Sequence, residues 1–289
     1  MIVAIYSRGL DTEQNAPMQF LLSELLSHKA TVFLHQPLQE QLPPSSNFST
    51  FNSYEDLVKN DVECLISIGG DGTILDCVTL VRDSNIPILG INFGRLGFLA
   101  NISKNDIASA VEALVNHTFL IDKRSLIHID SNLGLFGETP FALNEFALHK
   151  RDISPMIKIH TYINGEFLST YWADGLIVST PTGSTGYNLS CNGPILFPES
   201  SSLVITPVAP HNLNVRSIVV ADNNVISFEV EGRSEQYICV MDARRELVDM
   251  NIQIAVRKEK FTVSLIRLSE NSFLSTLRNK LTWGMDKRN

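Results

Sequence analysis

The chain has 289 residues, of which 44% are hydrophobic and 19% charged, and its formal net charge is −8. This composition is typical of a globular protein with a sizeable core, and the length allows one large domain or two ordinary ones. The negative charge and the lack of any long basic run exclude a protein held on nucleic acid by neutralising its phosphates, although a small anionic ligand needs only a local site.

Targeting and cysteine signals favour a cytoplasmic protein. The N-terminal run Met1–Tyr6 is strand-like and has neither a basic leader nor a cleavage signal, so we expect no secretion signal. No stretch approaches the ~20 apolar residues that a membrane-spanning helix needs, so we expect no membrane partner. The four cysteines form no Cys-x-x-Cys pair or zinc-site spacing, which predicts reduced thiols.

The first 115 residues alternate between strand and helix patterns. The strands are apolar throughout and are predicted at 2–6, 31–34, 62–68 and 86–91. Helices are predicted at 16–28 (apolar stripe Met18, Leu21, Leu22, Leu25 and Leu26), at 73–82, and from a capping box of Ser103 and Asp106 to Val115. Residues 36–53, rich in Pro, Ser and Asn, are predicted as a loop. Fully apolar strands alternating with helices indicate an α/β domain, with a parallel sheet covered on both faces.

The pattern changes after about residue 120. Runs at 156–162 and 225–230 alternate apolar and polar residues, and Asn164-Gly165 is a strong signal for a two-residue hairpin. Residues 121–267 are therefore predicted to form an antiparallel β-sandwich domain. The α/β domain is predicted to span 1–120. A final helix from Asn271 to Trp283, within 268–289 and with Phe273, Leu274, Leu277 and Leu281 on one side, is predicted to pack back on it.

The stretch Leu65–Thr73 carries the first functional signal. It reads Leu-Ile-Ser-Ile-Gly-Gly-Asp-Gly-Thr, and apolar residues at 74, 75, 78 and 81 then continue as one helix face. A strand, a glycine turn and a helix N-terminus form an anion site, because bare backbone and free N–H groups can approach a phosphate. The turn has neither the lysine of a P-loop nor the spacing of a dinucleotide fingerprint.

Asp71 is the unusual member of this turn. A carboxylate beside phosphates is repulsive unless it serves the chemistry, by holding a divalent metal or by accepting a proton from an attacking hydroxyl. The structural alternative is that Asp71 caps the helix and its neighbouring glycines only make a turn. A second glycine loop, 92–97, also follows a predicted strand, and ligands of such sheets bind at the C-terminal ends of the strands.

Two polar stretches interrupt the β region. The strand 175–179 ends in a loop of hydroxyls and glycines, which suits phosphate oxygens or a polar ligand, and Tyr187 offers a flat face for a ring. Asn144-Glu145 breaks an apolar run, and since unpaired buried polar groups are costly, the pair is a candidate for binding ligand hydroxyls or amides. The structural alternatives are a Ser/Thr-rich hairpin and a β-bulge.

These features together resemble the NAD kinase family. The matching residues are Gly69–Thr73, Asn144-Glu145, Asp174-Gly175 and Thr180–Asn188, and the loop 92–99 is similar to the family's second glycine loop. The resemblance covers roughly residues 1–283. The Gly-Gly-Asp-Gly turn alone is shared with diacylglycerol and sphingosine kinases and loosely with phosphofructokinases, whereas the Thr/Gly/Ser loop after Asp-Gly is more specific.

The resemblance implies transfer of the ATP γ-phosphoryl group to the 2′-hydroxyl of the adenosine ribose of NAD. It implies Asp71 as the proton acceptor, Asn144 and Glu145 at that ribose, Asp174 at the nicotinamide side and the segment 185–190 around adenine. The full set of implied NAD-binding residues is Asp71, Gly72, Asn144, Glu145, Asp174, Thr182, Thr185, Gly186, Tyr187, Asn188, Leu189, Ser190 and Ala209.

The same resemblance implies a homotetramer, or a homodimer, in which Ala209 can reach a neighbouring subunit's site. A divalent cation, Mg²⁺, is expected to arrive with ATP, because the sequence offers no cage of several acids. Arg95 is a weaker candidate for a phosphate contact, since a lone loop arginine is more often a solvated charge.

The chain departs from the family pattern at three points. Gly186 stands where alanine is frequent, Asp242-Ala243 where Asp-Gly is frequent, and Trp172 where some relatives have a basic residue.

Three rival functions are less consistent with the sequence. A lipid kinase would need an apolar acceptor cleft, which the polar loop 182–190 argues against, and a non-catalytic dinucleotide sensor would not need Asp71. A hydride-transfer enzyme would need the dinucleotide fingerprint that the first turn lacks.

Overall fold

The computed structural model describes residues 1–43, 48–151, 155–233, 236–249, 252–268 and 272–282. These residues form two compact units. Unit 1 consists of Met1–Lys123 together with the described residues from Val263 onward, and unit 2 consists of Arg124–Thr262.

Unit 1 is built on a parallel sheet. Its strands are β1 (Ile2–Ser7), β2 (Thr31–His35), β3 (Ser49–Phe51), β4 (Cys64–Ile68), β5 (Ile88–Asn92) and β6 (Ile102–Ser103). Its first five helices are α1 (Asn15–Ser27), α2 (Gln36–Gln39), α3 (Tyr54–Lys59), α4 (Asp71–Val81) and α5 (Ile107–Val115). The strand order is β5-β4-β1-β2-β3 with every pair parallel, and β6 pairs with β5.

Helices cover both faces of this sheet, as the fully apolar strands predict. Alternate residues such as Val3 and Ile5 join one core with the apolar faces of α1 and α5. On the opposite face, α4 packs so closely that a Cβ built on Gly90 of β5 would lie 2.6 Å from Ile74 Cδ1. The C-terminal ends of β1, β4 and β5 therefore lie at one edge of the sheet, where the two glycine loops begin.

The structure corrects two local predictions in unit 1 and adds one helix. Leu26 is not part of the buried stripe of α1, because its side chain is 51% exposed. The segment 36–53 is not simply a loop: it contains α2, with Pro37 in its first turn, and β3, which pairs with β2. Residues 44–47 of that segment lie outside the described part of the chain. Helix α3 was missed, although Ser53 and Asp56 form a capping box at its start.

Unit 2 consists of two antiparallel sheets. Its strands are β7 (Leu120–Ser131), β8 (Phe141–Ala142), β9 (Glu145–Lys150), β10 (Ile157–Ile163), β11 (Glu166–Ala173), β12 (Gly175–Ser179), β13 (Ser202–Val208), β14 (Ile218–Ala221), β15 (Ile226–Glu231), β16 (Gln236–Met241), β17 (Arg244–Asp249) and β18 (Ile254–Arg267). One sheet has the order β14-β13-β12-β9-β16-β17; the other runs β11-β10-β15-β18, with β7 pairing with β18 and β8. A short helix, α6 (Tyr187–Ser190), follows β12.

The inner faces of the two sheets share one core, so the sandwich prediction is confirmed. Phe146 and Val178 from the first sheet pack in the same cluster as Ile159 and Phe228 from the second. The Asn164-Gly165 hairpin between β10 and β11 is also confirmed, and both residues have positive φ, at 51° and 83°.

Two strands run from one unit into the other along the chain. Residues 120–123 of β7 belong to unit 1 and the rest to unit 2, while β18 starts in unit 2 and its residues from Val263 belong to unit 1. In unit 1, Leu265 pairs with Ile88 of β5 in parallel register.

The last described helix is α7 (Phe273–Leu281), which belongs to unit 1. Leu277 is its one buried residue, whereas Leu274 is 49% exposed, which corrects the predicted apolar side. The predicted helix ends Asn271 and Trp283, and residues 283–289 in general, lie outside the described residues. No helix within the described ranges has the length and apolarity to cross a membrane. All four cysteines are free thiols.

Candidate functional site

The glycine turn of unit 1 links β4 directly to α4. Gly70 is the N-cap of α4, and Asp71 is the first helical residue. Gly69 has φ = +149°, and a Cβ built there would lie 2.3 Å from Thr73 Oγ1. A side chain at position 69 would therefore be both strained and in collision, so the turn requires glycine there.

Asp71 does not cap its own helix; its carboxylate binds the second glycine loop instead. Oδ2 accepts from the backbone N–H of Phe98 at 2.8 Å, and Oδ1 accepts from those of Leu99 at 3.0 Å and Ala100 at 2.9 Å. The capping alternative for Asp71 is therefore wrong, because the N-cap is Gly70 and the carboxylate serves another segment.

This arrangement leaves the carboxylate one acceptor direction. Two carboxylate oxygens offer about four lone-pair directions, and the three N–H groups occupy one on Oδ2 and two on Oδ1. Gly97 packs directly against the same carboxylate, since a Cβ built on it would lie 1.8 Å from Asp71 Oδ1. Asp71 is thus fixed in position with Oδ2 as the oxygen that can still accept.

The second glycine loop is shaped by Asn92 at the end of β5. Its amide donates to the carbonyl of Arg95 at 2.6 Å, and its Oδ1 accepts from the N–H of Gly94 at 2.8 Å. The Arg95 side chain is exposed on this loop. Among the residues that the structure describes, no hydrogen bond or ion pair holds that side chain, and its phosphate contact stays a prediction.

In unit 2, the polar pair and the polar loop lie against each other. Ser179, the last residue of β12, is in register with Glu145 of β9, so the loop after β12 starts beside the polar pair. Thr180 donates its N–H to the Asn144 carbonyl at 2.8 Å and its hydroxyl to the Leu143 carbonyl at 2.5 Å. A Cβ built on Gly186 would lie 3.5 Å from Glu145 Oε2 and 3.9 Å from Asn144 Nδ2, so both side chains reach the Gly186 turn.

Glu145 is the most perturbed acid of this region. Its side chain is buried, and no group within the described ranges donates a hydrogen bond to Oε2. Burial, reinforced by the nearby Asp242 carboxylate, raises the pKa of Glu145 to about 8. A buried carboxyl group with an unpaired oxygen beside a glycine turn is arranged to meet a polar group from outside the chain.

The raised pKa of Glu145 predicts a pH-dependent stability. Unfolding exposes the group and returns its pKa to about 4.5, so between pH 5 and 8 the folded state holds the proton that the unfolded state loses. The free energy of unfolding should therefore fall with rising pH in this range, by up to about 1.4 kcal/mol per pH unit from this group, and level off above it. Urea unfolding of the wild type and Glu145→Gln at several pH values tests this, because the variant should lack that slope. If the free energy of unfolding depended on pH equally in the two proteins, the raised pKa of Glu145 would be contradicted.

Tyr187 and Asp174 also belong to this part of unit 2. Glu145 and His149 point to the same face of β9, since alternate strand residues share a face, and the Tyr187 ring lies 5.5 Å from the His149 ring. Asp174 precedes β12 and pairs with Lys150 of β9 at 2.7 Å. The polar loop thus folds back along β9 and ends with Tyr187 over His149.

The structure corrects the role of Asn188. Its side chain is fully buried, and its amide donates to the carbonyls of Ser184 and Pro194 while its oxygen accepts from Thr206. These bonds use the amide to hold the loop, so a contact between this side chain and NAD is not available without breaking them.

The remaining predicted NAD-binding residues differ in exposure. Thr182 is buried and its hydroxyl accepts from Arg124, while Ser190 and Ala209 are exposed and Thr185, Gly186 and Leu189 are intermediate. Ala209 follows β13 with φ = +45° and lies beside Asp174, whose N–H donates to the Val208 carbonyl.

Asp242 anchors the polar pair from behind. It is half-buried, and its carboxylate accepts from the N–H groups of Leu143, Asn144 and Glu145 at 2.9, 2.8 and 3.2 Å. The turn that carries it has positive φ at Asp242 and not at Ala243. Alanine in place of the family's frequent glycine therefore needs no left-handed backbone. Trp172, another departure, is stacked on His211 at 4.6 Å.

Sequence reasoning assigned no role to four residues that support these sites. They are Arg124, His149, Lys150 and Asp242. Period-two alternation from Glu145 along β9 is a signal that could have identified His149. No local pattern indicates the contacts of Asp242, because its partners are 97 to 99 residues away in the chain.

Comparison with known proteins adds an independent finding. Residues 7–119 match the family model of the ATP-NAD kinase N-terminal domain, and residues 143–268 match that of the ATP-NAD kinase C-terminal domain. The chain is 45% identical to an NAD kinase of Cytophaga hutchinsonii, with 100% of both chains covered. It is 49% identical to an NAD kinase of Flavobacterium psychrophilum, over 85% of this chain and 84% of that relative.

Solved structures with the same fold include two nucleotide complexes. Yeast NADH kinase complexed with NADH matches with a TM-score of 0.86 and 22% identity, covering 99% of this chain and 89% of its own. An NAD kinase from Archaeoglobus fulgidus in complex with ATP matches with a TM-score of 0.76 and 24% identity, covering 98% and 99%. At these identities the likeness shows a shared fold.

Proposed function

The chain belongs to the NAD kinase family, and on that premise we propose that it transfers the γ-phosphoryl group of ATP to the adenosine ribose 2′-hydroxyl of NAD. The products are NADP and ADP. The observation that carries the proposal is the Asp71 carboxylate, which three backbone N–H groups hold in the glycine turn with one acceptor direction left on Oδ2.

Asp71 Oδ2 is the proposed proton acceptor. The ribose hydroxyl gives its proton to Oδ2 as its oxygen bonds to the γ-phosphorus and the bond to the β-phosphate oxygen breaks. Because phosphoryl transfer depends mainly on positioning and charge, a carboxylate fixed by three hydrogen bonds suits this role. Gly72 and the N-terminus of α4 provide close backbone and N–H groups for the nucleotide, and Arg95 remains a weaker phosphate candidate.

The unit 2 residues are proposed to bind NAD. Asn144 and Glu145 are assigned to the adenosine ribose, because Glu145 Oε2 is buried and unpaired among the described residues and a ribose hydroxyl would satisfy it. Asp174 is assigned to the nicotinamide side and Tyr187 to a ring face. Thr182, Thr185, Gly186, Leu189 and Ser190 complete the proposed pocket, with Asn188 holding its loop.

The proposed metal is Mg²⁺ carried by ATP. Within the described ranges no group of three or more His, Cys, Asp or Glu side chains could hold a metal ion. We therefore propose a cation that arrives with the ATP phosphates as its ligands and keeps several waters. When bound, Mg²⁺ offsets the negative charge of the phosphates. The one acid of the glycine turn, Asp71, would contribute a protein ligand only in place of proton transfer, since one acceptor direction remains on its carboxylate.

A coupled assay tests the proposed function. We expect the protein incubated with NAD, ATP and Mg²⁺ to yield a product that a strictly NADP-dependent dehydrogenase can use. A lipid kinase would phosphorylate diacylglycerol or sphingosine and yield no NADP, and a dinucleotide sensor would bind NAD without consuming ATP. Either result would refute the proposal.

The assembly and location are also proposed from the family. We expect a homotetramer, in which Ala209 reaches a neighbouring subunit's site, and a cytoplasmic protein. Light scattering on the purified protein tests the assembly, and a monomer at assay concentrations would contradict it.

A further inference from the structure

Arg8 lies against the glycine turn although it is not part of any recognised motif. It follows β1, and its guanidinium pairs with Asp76 of α4 through Nε to Oδ2 at 2.5 Å and Nη2 to Oδ1 at 2.8 Å. Tyr6 donates its hydroxyl to the same carboxylate at 3.2 Å. A two-bond pair of this kind fixes the orientation of the guanidinium plane as well as its distance.

The remaining N–H groups of Arg8 are directed at the start of α4. Nη2 also donates to the Gly72 carbonyl at 3.0 Å. A Cβ built on Gly72 would lie 3.4 Å from Nη1, so this nitrogen stands directly over the turn. Among the described residues, no acceptor is hydrogen-bonded to Nη1. The side chain of Arg8 is 53% exposed, so a ligand can reach it.

The charge of the turn explains why a cation is needed here. The turn has no lysine, and its one charged member is the acid Asp71. The free N–H groups and dipole of the α4 N-terminus attract phosphate, but the Asp71 carboxylate opposes it. A guanidinium held over Gly72 brings a positive charge beside that carboxylate, and the N–H groups of Nη1 can donate charge-assisted hydrogen bonds to phosphate oxygens.

We propose that Arg8 binds the phosphate chain of ATP through Nη1, and that Asp76 is the positioning residue that holds it over the turn. This inference rests on the proposed function, because it takes ATP as the nucleotide at the Gly69–Gly72 turn. The competing explanation is that Arg8 and Asp76 only tie the end of β1 to α4 as an exposed ion pair, which contributes little to stability.

Nucleotide binding to an Arg8→Met variant separates these explanations. We expect its dissociation constant for ATP to rise at least about tenfold, since a charge-assisted phosphate contact is lost. The inhibition constant of adenosine against ATP, and the KM for NAD, should stay within about twofold of the wild type. Arg278→Met, which removes the same charge from the exposed end of α7, is the matched control and should leave all three constants unchanged.

Asp76→Asn tests the positioning role. This variant keeps the guanidinium but loosens its two-bond anchor, so the expected rise in the ATP dissociation constant is smaller than for Arg8→Met, with adenosine again unaffected. Unchanged ATP binding in Arg8→Met would overturn the inference, and so would equal losses for ATP and adenosine, since those indicate a general distortion of the turn. A wild-type protein that forms no NADP would refute the proposed function instead.

Discussion

Asp71→Asn should lower kcat by at least about a hundredfold while NAD binding is retained. A positioned general base contributes about 10²–10⁴-fold, and asparagine cannot take the hydroxyl proton. The side chains have the same shape, so the substitution removes the base without opening a cavity. Steady-state kinetics with the coupled NADP assay, together with calorimetric titration of NAD, measure both quantities. Near-normal turnover would remove Asp71 from the role.

Asp71→Asn also weakens the hydrogen bonds that hold the second glycine loop, and this loss of stability must be separated from the loss of the general base. Asparagine presents an NH₂ group toward one of the three N–H donors of 98–100, and an unsatisfied buried donor costs about 1–3 kcal/mol. Asp71→Ala assayed with added formate provides the control. Formate can accept the proton and can also bind the N–H groups of 98–100, so kcat and the free energy of unfolding are measured together. Recovery of kcat without recovery of stability supports proton transfer, whereas recovery of both together would show that loop anchoring contributes.

Gly97→Ala should impair the enzyme without altering any reacting group. A Cβ at this position would lie 1.8 Å from Asp71 Oδ1 and 2.5 Å from its Cγ, so the carboxylate or the loop has to move. We expect a loss of about 1–3 kcal/mol in the free energy of unfolding from this crowding. We also expect kcat to fall at least about tenfold, because small displacements of a catalytic group are costly.

Gly94→Ala is the matched control in the same loop. Its Cβ would meet Asn92 Oδ1 at 3.5 Å, which is an ordinary contact, so we expect stability within about 0.5 kcal/mol of the wild type and an unchanged kcat. Urea unfolding and steady-state kinetics on the two variants give the comparison. Equal behaviour of Gly94→Ala and Gly97→Ala would show that the contact with Asp71 is unimportant.

Local patterns were sufficient to predict most of the fold. The buried strand before Gly69, the helix after it and the Asn164-Gly165 hairpin each depend on a few neighbouring residues, and all three were confirmed. The segment 36–53 was misjudged because its Pro and Ser content is typical of loops. Pro37 in the first turn of α2 costs no helical hydrogen bond, and β3 is stabilised by pairing with β2, which the sequence does not display.

The site was predictable in its residues but not in their contacts. The resemblance assigned Asp71 and Glu145, yet their surroundings come from distant parts of the chain. Asp71 meets N–H groups 27 to 29 residues further on, and the polar pair rests on Asp242, about a hundred residues away. The buried state of Asn188 likewise depends on Thr206 in another strand. Such pairings follow from tertiary packing, and no spacing rule reports them.

The path of β18 has a consequence for how the protein is made. Leu265, near the end of the chain, pairs beside Ile88, which is completely buried. A ribosome that has released residues 1–123 has not yet synthesised this neighbour. The nascent sheet therefore has an open edge beside Ile88, although β6 already pairs with the other end of β5. Unit 1 can be finished only after the whole of unit 2 has been translated, whereas Arg124–Thr262 is continuous and can fold as it leaves the exit tunnel.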